Sequence, residues 1–137
     1  MTHPITGIDH VFVLVRDLDA AAAQYAKLGF TVSPRGLHSE HKGTANHTIM
    51  LKNDYFELLG VIRETPANAE HRANLERGEG LAAIACRVAD TRAAVAALDE
   101  LGIATTEPVD FERPVPLPAG GDGRAAFTVA AFAPSAV

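Results

Sequence analysis

The chain has 137 residues, 47% of them hydrophobic and 21% charged, with a formal net charge of −5. That length suits one compact domain, and an acidic balance without a dense Lys/Arg cluster argues against a nucleic-acid partner. The longest apolar runs, residues 11–15 and 81–86, are far short of a bilayer span, and the opening MTHPITG lacks a basic-then-apolar signal, so a cytoplasmic protein without a membrane partner is expected.

Residues 8–15 form a Val-rich run that reads as a strand, and Asp17 offers a side-chain oxygen to cap a helix reaching about Leu28. Leu18, Ala21, Ala22, Tyr25 and Leu28 fall on one face of that helix, and Gly29 supplies a left-handed stop before a strand that begins over residues 30–32. Two more strands, residues 45–51 and 55–61, follow on either side of a Lys52-Asn53-Asp54 turn. Residues 64–80 read as a polar connector holding a short helix over 69–77, ended by Gly78. A strand over 81–88, an Asp90-capped helix, a stop at Gly102 and another strand come next. Pro108, Pro114, Pro116, Pro118, Gly120, Gly121 and Gly123 then mark residues 108–123 as a loop, and one last strand fits residues 125–132. The lone Cys86 excludes an internal disulfide and, inside an apolar strand, is expected to be buried and inert.

The chain repeats itself at an offset of 73 residues: residues 8–32 align with 81–105 without a gap, with identities Val15/Val88, Asp17/Asp90, Ala20/Ala93, Ala21/Ala94, Ala23/Ala96, Leu28/Leu101 and Gly29/Gly102. Such self-similarity is the mark of a repeated structural module. The expected class is α+β, with tandem βαβββ modules forming a curled, partly open mixed sheet. Module one spans about 5–62, the connector 63–80, and module two about 81–137, which reads one strand short; together they make a single domain. The copies differ where it matters, because His10 of the first stands opposite Ala83 of the second.

A duplicated βαβββ module with Ile8-Asp9-His10-Val11, Val15-Arg16-Asp17-Leu18-Asp19, Leu28-Gly29-Phe30 and Tyr55-Phe56-Glu57-Leu58-Leu59 resembles the vicinal oxygen chelate superfamily, and within it the glyoxalase-like branch. Metal-binding members place one ligand on the first strand and one on the last strand of each module. The resemblance therefore implies His10 and Glu57 as ligands of a divalent metal such as Zn, Ni, Mn or Fe, acting as a Lewis acid on adjacent substrate oxygens. Ala83 offers no donor at the matching position, so a metal-free site stands as an equal expectation. A homodimer bringing two copies of module one together is one way to complete the ligand set. The Gly43-Thr44-Ala45-Asn46 stretch resembles a recurring turn of the same branch and implies His38 and Asn46 as substrate-binding residues.

The residues also speak for themselves. Glu57 sits in the apolar run 55–61, where an unpartnered carboxylate is costly. Without metal it has the character of a catalytic general base, with its pKa expected to rise by desolvation. Its plainer reading is an edge glutamate reaching solvent. His10 shares a strand face with Phe12 and Leu14, and can equally be a pocket-wall histidine. His38 and His41 lie in a polar loop, where histidines are more often solvated than ligating. Tyr55 opens a strand and can present its hydroxyl at a pocket rim, whereas Tyr25 belongs to the core. Asn46, Thr48 and Met50 share one face of their strand and His47, Ile49 and Leu51 the other, with the cavity side left open. Arg113 and Arg124 flank the Pro/Gly segment, which reads as a surface loop rather than a lid.

The function expected is a protein that binds a small organic molecule in the cavity of the curled sheet, as a divalent-metal-dependent lyase, isomerase or dioxygenase. The alternative is metal-free binding or sequestration of the bleomycin-resistance type. A degenerate module serving oligomerisation is a third reading.

Overall fold

A computed structural model describes residues 2–117 and 119–134. The elements in chain order are β1 (Ile5–Leu14), α1 (Leu18–Lys27), β2 (Gly36–Leu37), β3 (Thr44–Met50), β4 (Tyr55–Val61), α2 (Ala69–Arg77), β5 (Gly80–Val88), α3 (Thr91–Glu100), β6 (Val109–Pro116) and β7 (Asp122–Val129). Single 3₁₀ turns fill Glu40–Lys42 and Pro66–Asn68. The strands form one mixed five-stranded sheet, in the order β2-β3-β4-β1-β5, and a separate antiparallel pair, β6-β7. This open α+β arrangement is that expected of a glyoxalase-like fold.

The chain divides into two compact units. The first, Ile8–Cys86, holds nearly all of the larger sheet. β1 runs parallel to β4, with His10 opposite Tyr55 and Phe12 opposite Glu57, and β3 runs antiparallel to β4, with Thr48 opposite Glu57. One face of β1, β3 and β4 therefore carries His10, Phe12, Asn46, Thr48, Tyr55 and Glu57, and the other carries Val13, Ala45, Ile49, Phe56 and Leu58. The second face is the core. Val15, Leu18, Ala45, Ile49 and Leu58 form its buried cluster, with Ala21, Tyr25 and Val32 packed against them. α1 lies on this side because its apolar stripe needs cover, and Asp17 starts it by accepting from the Ala20 backbone N–H at 2.9 Å. Gly29, at φ 94°, stops it.

Gly43 closes the loop into β3 in a position that no other residue fits. Its φ is 61°, its carbonyl accepts from the N–H groups of Ile62 and Arg63, and a Cβ there would lie 2.2 Å from the Arg63 carbonyl oxygen. Asn68, 1% exposed, completes this clamp by donating to the carbonyls of Lys42 and Arg63 at 2.7 and 2.8 Å.

In the second unit, α3 begins at Asp90, which accepts from the Ala93 N–H at 2.8 Å, and the eight residues of β6 pair in full register with β7. Several expectations change here. The segment 108–123 is not a loop throughout, because β6 runs through it, with Pro114 opposite Arg124 and Pro116 opposite Asp122. Two prolines spaced by two occupy the same class of ladder position, and they are tolerated where the missing N–H faces away from the partner strand. Only the tip turns, with Gly120 and Gly121 at φ 88° and 81°; Pro118 lies outside the described residues. Arg124 is not a loop cation, since it pairs with Glu112 across the strands. The last strand is shifted to Asp122–Val129, and the strand expected after Gly102 is reduced to a single bridge between Thr105 and Phe132. Among the described residues, module two thus holds β5, β6 and β7, compared with the four strands of module one.

Two further corrections fall in the first unit. Residues 30–32 form no strand: the Phe30 N–H is taken by the Tyr25 carbonyl at 3.2 Å, and the Phe30 ring packs against Tyr25 and Phe56. Cys86 is exposed rather than buried, because β5 is an edge strand, and the apolar Leu81 and Ile84 are exposed along it as well.

Candidate functional site

The sheet register shows which residues of β3 share a face with Glu57. Asn46 and Thr48 lie on the face of Glu57, whereas His47 and Ile49 point to the α1 side. Glu57, in the middle of β4, is the centre of the cluster. Its side chain is 9% exposed, and Oε1 accepts a 2.8 Å hydrogen bond from Asn46 Nδ2. Two imidazoles approach the same carboxylate at different oxygens. His10 Nε2 stands 3.6 Å from Oε2, and His38 Nε2 stands 3.5 Å from Oε1. Both distances are at or beyond the outer limit for a hydrogen bond.

Each imidazole is oriented through its other nitrogen. His10 Nδ1 is 2.8 Å from Asp9 Oδ1, and its ring stacks on Tyr55 at 4.4 Å between centroids and 11° between planes. Phe12 flanks it at 4.9 Å. His38 Nδ1 is 2.8 Å from Thr44 Oγ1. A carboxylate on Nδ1 fixes the tautomer with the proton there and leaves Nε2 as the reactive atom facing Glu57.

Burial pushes the Glu57 carboxyl up, but the His38 contact, the Asn46 hydrogen bond and the positive charge of His38 and His10 together outweigh it, and the group is held below its ordinary range. The expectation of a raised pKa is therefore corrected: desolvation acts as expected, yet it loses to the partners. Glu57 is an ionised carboxylate, suited to stabilising a cation beside it more than to abstracting a proton itself.

The residues singled out from sequence thus come together as a group: His10, His38, Asn46, Tyr55 and Glu57 occupy one patch of one sheet face or its border. His38 belongs to the cluster rather than to solvent, because β2 pairs with β3 through Leu37 opposite Ala45 and brings the next residue alongside. His41 stays exposed on its 3₁₀ turn. Sequence reasoning misses the orienting roles of Asp9 and Thr44. The available signal for Asp9 is its place directly before His10, and for Thr44 its place at the start of the strand that carries Asn46. His47 lies outside the cluster, with Nδ1 at 2.7 Å from the Ser33 carbonyl and Nε2 buried without a hydrogen-bond partner.

The fit of a divalent metal can be judged from the donors. His10 Nε2, His38 Nε2 and the Glu57 carboxylate are the donors at hand, but among the described residues no group of three His, Cys, Asp or Glu side chains converges as metal ligands. A catalytic metal takes about three protein ligands around one point, and here the two imidazoles face different oxygens of the carboxylate instead of a shared centre. Glu57 Oε1, moreover, is already committed to Asn46.

A family model described as a glyoxalase-like domain matches residues 8–137. No curated protein matches the chain. Among solved structures, methylmalonyl-CoA epimerase from Mycobacterium tuberculosis is 22% identical, with a TM-score of 0.67 over 98% of this chain and 93% of that one. A methylmalonyl-CoA epimerase in complex with methylmalonyl-CoA and NH4+ is 26% identical, with a TM-score of 0.62 over 75% and 74% of the two chains. A single-residue variant of the Streptomyces coelicolor methylmalonyl-CoA epimerase, in complex with 2-nitronate-propionyl-CoA, is 25% identical, with a TM-score of 0.62 over 85% and 83%.

Proposed function

The chain belongs to the glyoxalase-like domain family of the vicinal oxygen chelate superfamily, and from that premise we propose that it is an isomerase moving a proton at a carbon next to a carbonyl group. The observation that carries this reading is the pair of imidazole Nε2 atoms at 3.6 and 3.5 Å from opposite oxygens of one buried carboxylate. Epimerisation needs a base on one face of the carbon and an acid on the other. With one imidazole neutral and the other protonated, the first takes the proton at its Nε2 and the second returns one from its own Nε2 to the opposite face. Ionised Glu57, beside both rings, stabilises whichever imidazolium is present. Asn46 keeps the carboxylate in place, and Asp9 and Thr44 keep both rings aimed.

The substrate class we propose is an acyl thioester or related acid derivative with an acidic C–H, by analogy with the methylmalonyl-CoA bound by a structural neighbour. No step is drawn through a metal, because among the described residues no three donor side chains converge on one point. The test is proton exchange: incubate α-substituted acyl thioesters in D₂O and follow loss of the α-proton by NMR. Exchange is expected with the intact protein, and His10→Ala or His38→Ala should each lower it by about 10²–10⁴-fold, the usual worth of a positioned acid or base. Ligand binding without any exchange would overturn the isomerase reading and leave a sequestration protein.

A further inference from the structure

Away from the histidine cluster, a groove of about 470 Å³ opens between the ends of β1 and β4 and the helix α2. Its lining combines three guanidinium groups, Arg16, Arg63 and Arg72, with the apolar Val61, Ile62 and Leu75. We propose that this groove is a binding site for a phosphate-bearing ligand of nucleotide size.

The arginines are held in place. Arg72 Nε donates to Asn68 Oδ1 at 3.0 Å and its Nη2 to the Thr65 carbonyl at 3.4 Å, and Asn68 is itself 1% exposed and bonded on every side. Arg16 donates from Nη2 to the Leu75 carbonyl of the helix across the groove. A guanidinium fixed beforehand loses less freedom when an anion arrives, and its planar fork of donors matches phosphate oxygens.

The charge balance singles out Arg16. Arg63 is paired with Glu40 at 3.0 Å and Arg72 with Glu64 at 3.6 Å, whereas among the described residues the Arg16 guanidinium makes its contact with a neutral carbonyl and no carboxylate. Glu64 and Glu76 share the wall, and Glu79 accepts from the Arg16 backbone N–H at 2.6 Å. Of the three guanidinium groups, that of Arg16 is therefore the one left, among the described residues, without a carboxylate within ion-pair distance, and it is the donor an incoming anion would engage first. The volume exceeds what a bare phosphate needs, and the apolar floor suits a base or a carbon chain attached to it. Leu14 and Leu59, 2% and 4% exposed, lie along β1 and β4 between the groove and the His10–Glu57 pair, so this is a separate place on the same unit.

The test is direct binding, which needs no activity from the histidine cluster. Calorimetry with ADP, inorganic pyrophosphate and adenosine at low and high salt should show ADP and pyrophosphate binding, weakened by salt, and no binding of adenosine. Arg16→Gln should weaken ADP at least tenfold, and Arg16→Lys, which keeps the charge but loses the planar fork, should fall between that variant and the intact protein. Arg63→Gln gives a second loss without touching the Leu75 contact. Absence of ADP and pyrophosphate binding at low salt, or unchanged affinity in folded Arg16→Gln and Arg63→Gln proteins, would overturn the proposal. Coenzyme A distinguishes the source: competition with ADP marks the groove as the seat of a substrate's phosphorylated end, and independence marks it as a site for a free nucleotide.

Discussion

Replacing Asn46 by Ala removes the one hydrogen bond at normal distance that, among the described residues, the Glu57 carboxylate receives from a neutral side-chain donor, Nδ2 to Oε1 at 2.8 Å. A hydrogen bond to a charged group is worth about 1.5–3 kcal/mol, and leaving a buried acceptor unpaired places the loss in the upper part of that range. For a chain of this size each kcal/mol moves the thermal midpoint by roughly 3–4 °C. The pH dependence carries the sharper test. Glu57 is held below its ordinary pKa, so its contribution to stability is present above the unfolded value and is lost as pH falls through the folded one. The difference between wild type and Asn46→Ala should therefore be largest near neutral pH. It should shrink in acid to the ~0.5–1.5 kcal/mol of a neutral hydrogen bond, because protonated Glu57 no longer rewards the amide as strongly. Urea unfolding at a series of pH values, read as midpoint shifts at constant slope, measures this. A destabilisation that stays the same from neutral to acid pH would refute the ionised Glu57–Asn46 pair.

Leu58, 0% exposed in the cluster under α1, should cost about 3 kcal/mol on truncation to Ala, seen in the same urea assay. Gly43→Ala places a Cβ 2.2 Å from a backbone oxygen at positive φ, and should lower stability by ~2 kcal/mol or more, with Gly43→Asn no better. Asp9→Asn leaves His10 in place but no longer fixes its Nδ1 proton, so proton exchange should fall about tenfold or more with the thermal midpoint little changed. Dialysis against a chelator should leave both the midpoint and the exchange rate as they were. Stoichiometric metal restoring a lost rate, and failing to bind after His10→Ala or Glu57→Ala, would instead assign the His10–Glu57 pair as ligands.

The elements most legible in the sequence are those with local chemistry at their ends. Asp17 and Asp90 cap the two repeated helices, Gly29 and Gly102 stop them, and α2 and β4 fall on the expected residues. Prolines mislead, because residue type says nothing about which ladder positions need an N–H; Pro114 and Pro116 sit two apart and so share the positions that do not. The site is legible as a set of residues but not as an electrostatic balance. That Glu57 needs a partner follows from its apolar neighbours, but that the partners outweigh burial depends on His38, nineteen residues earlier, being delivered beside it by a two-residue strand. Cys86 is misread for a related reason: an apolar run marks a strand, and only pairing reveals that the strand is an edge.

The stacking of Tyr55 on His10 gives the protein an optical reporter of its own. The chain has no tryptophan and only two tyrosines, so its ultraviolet emission comes from Tyr25, packed in the core, and Tyr55, pressed against the imidazole of the cluster. Light from Tyr25 should change when the fold is lost, and light from Tyr55 when a bound molecule parts the two rings. Unlabelled protein in a cuvette, with Tyr25→Phe as the clean background, can thus follow occupancy of the site in real time.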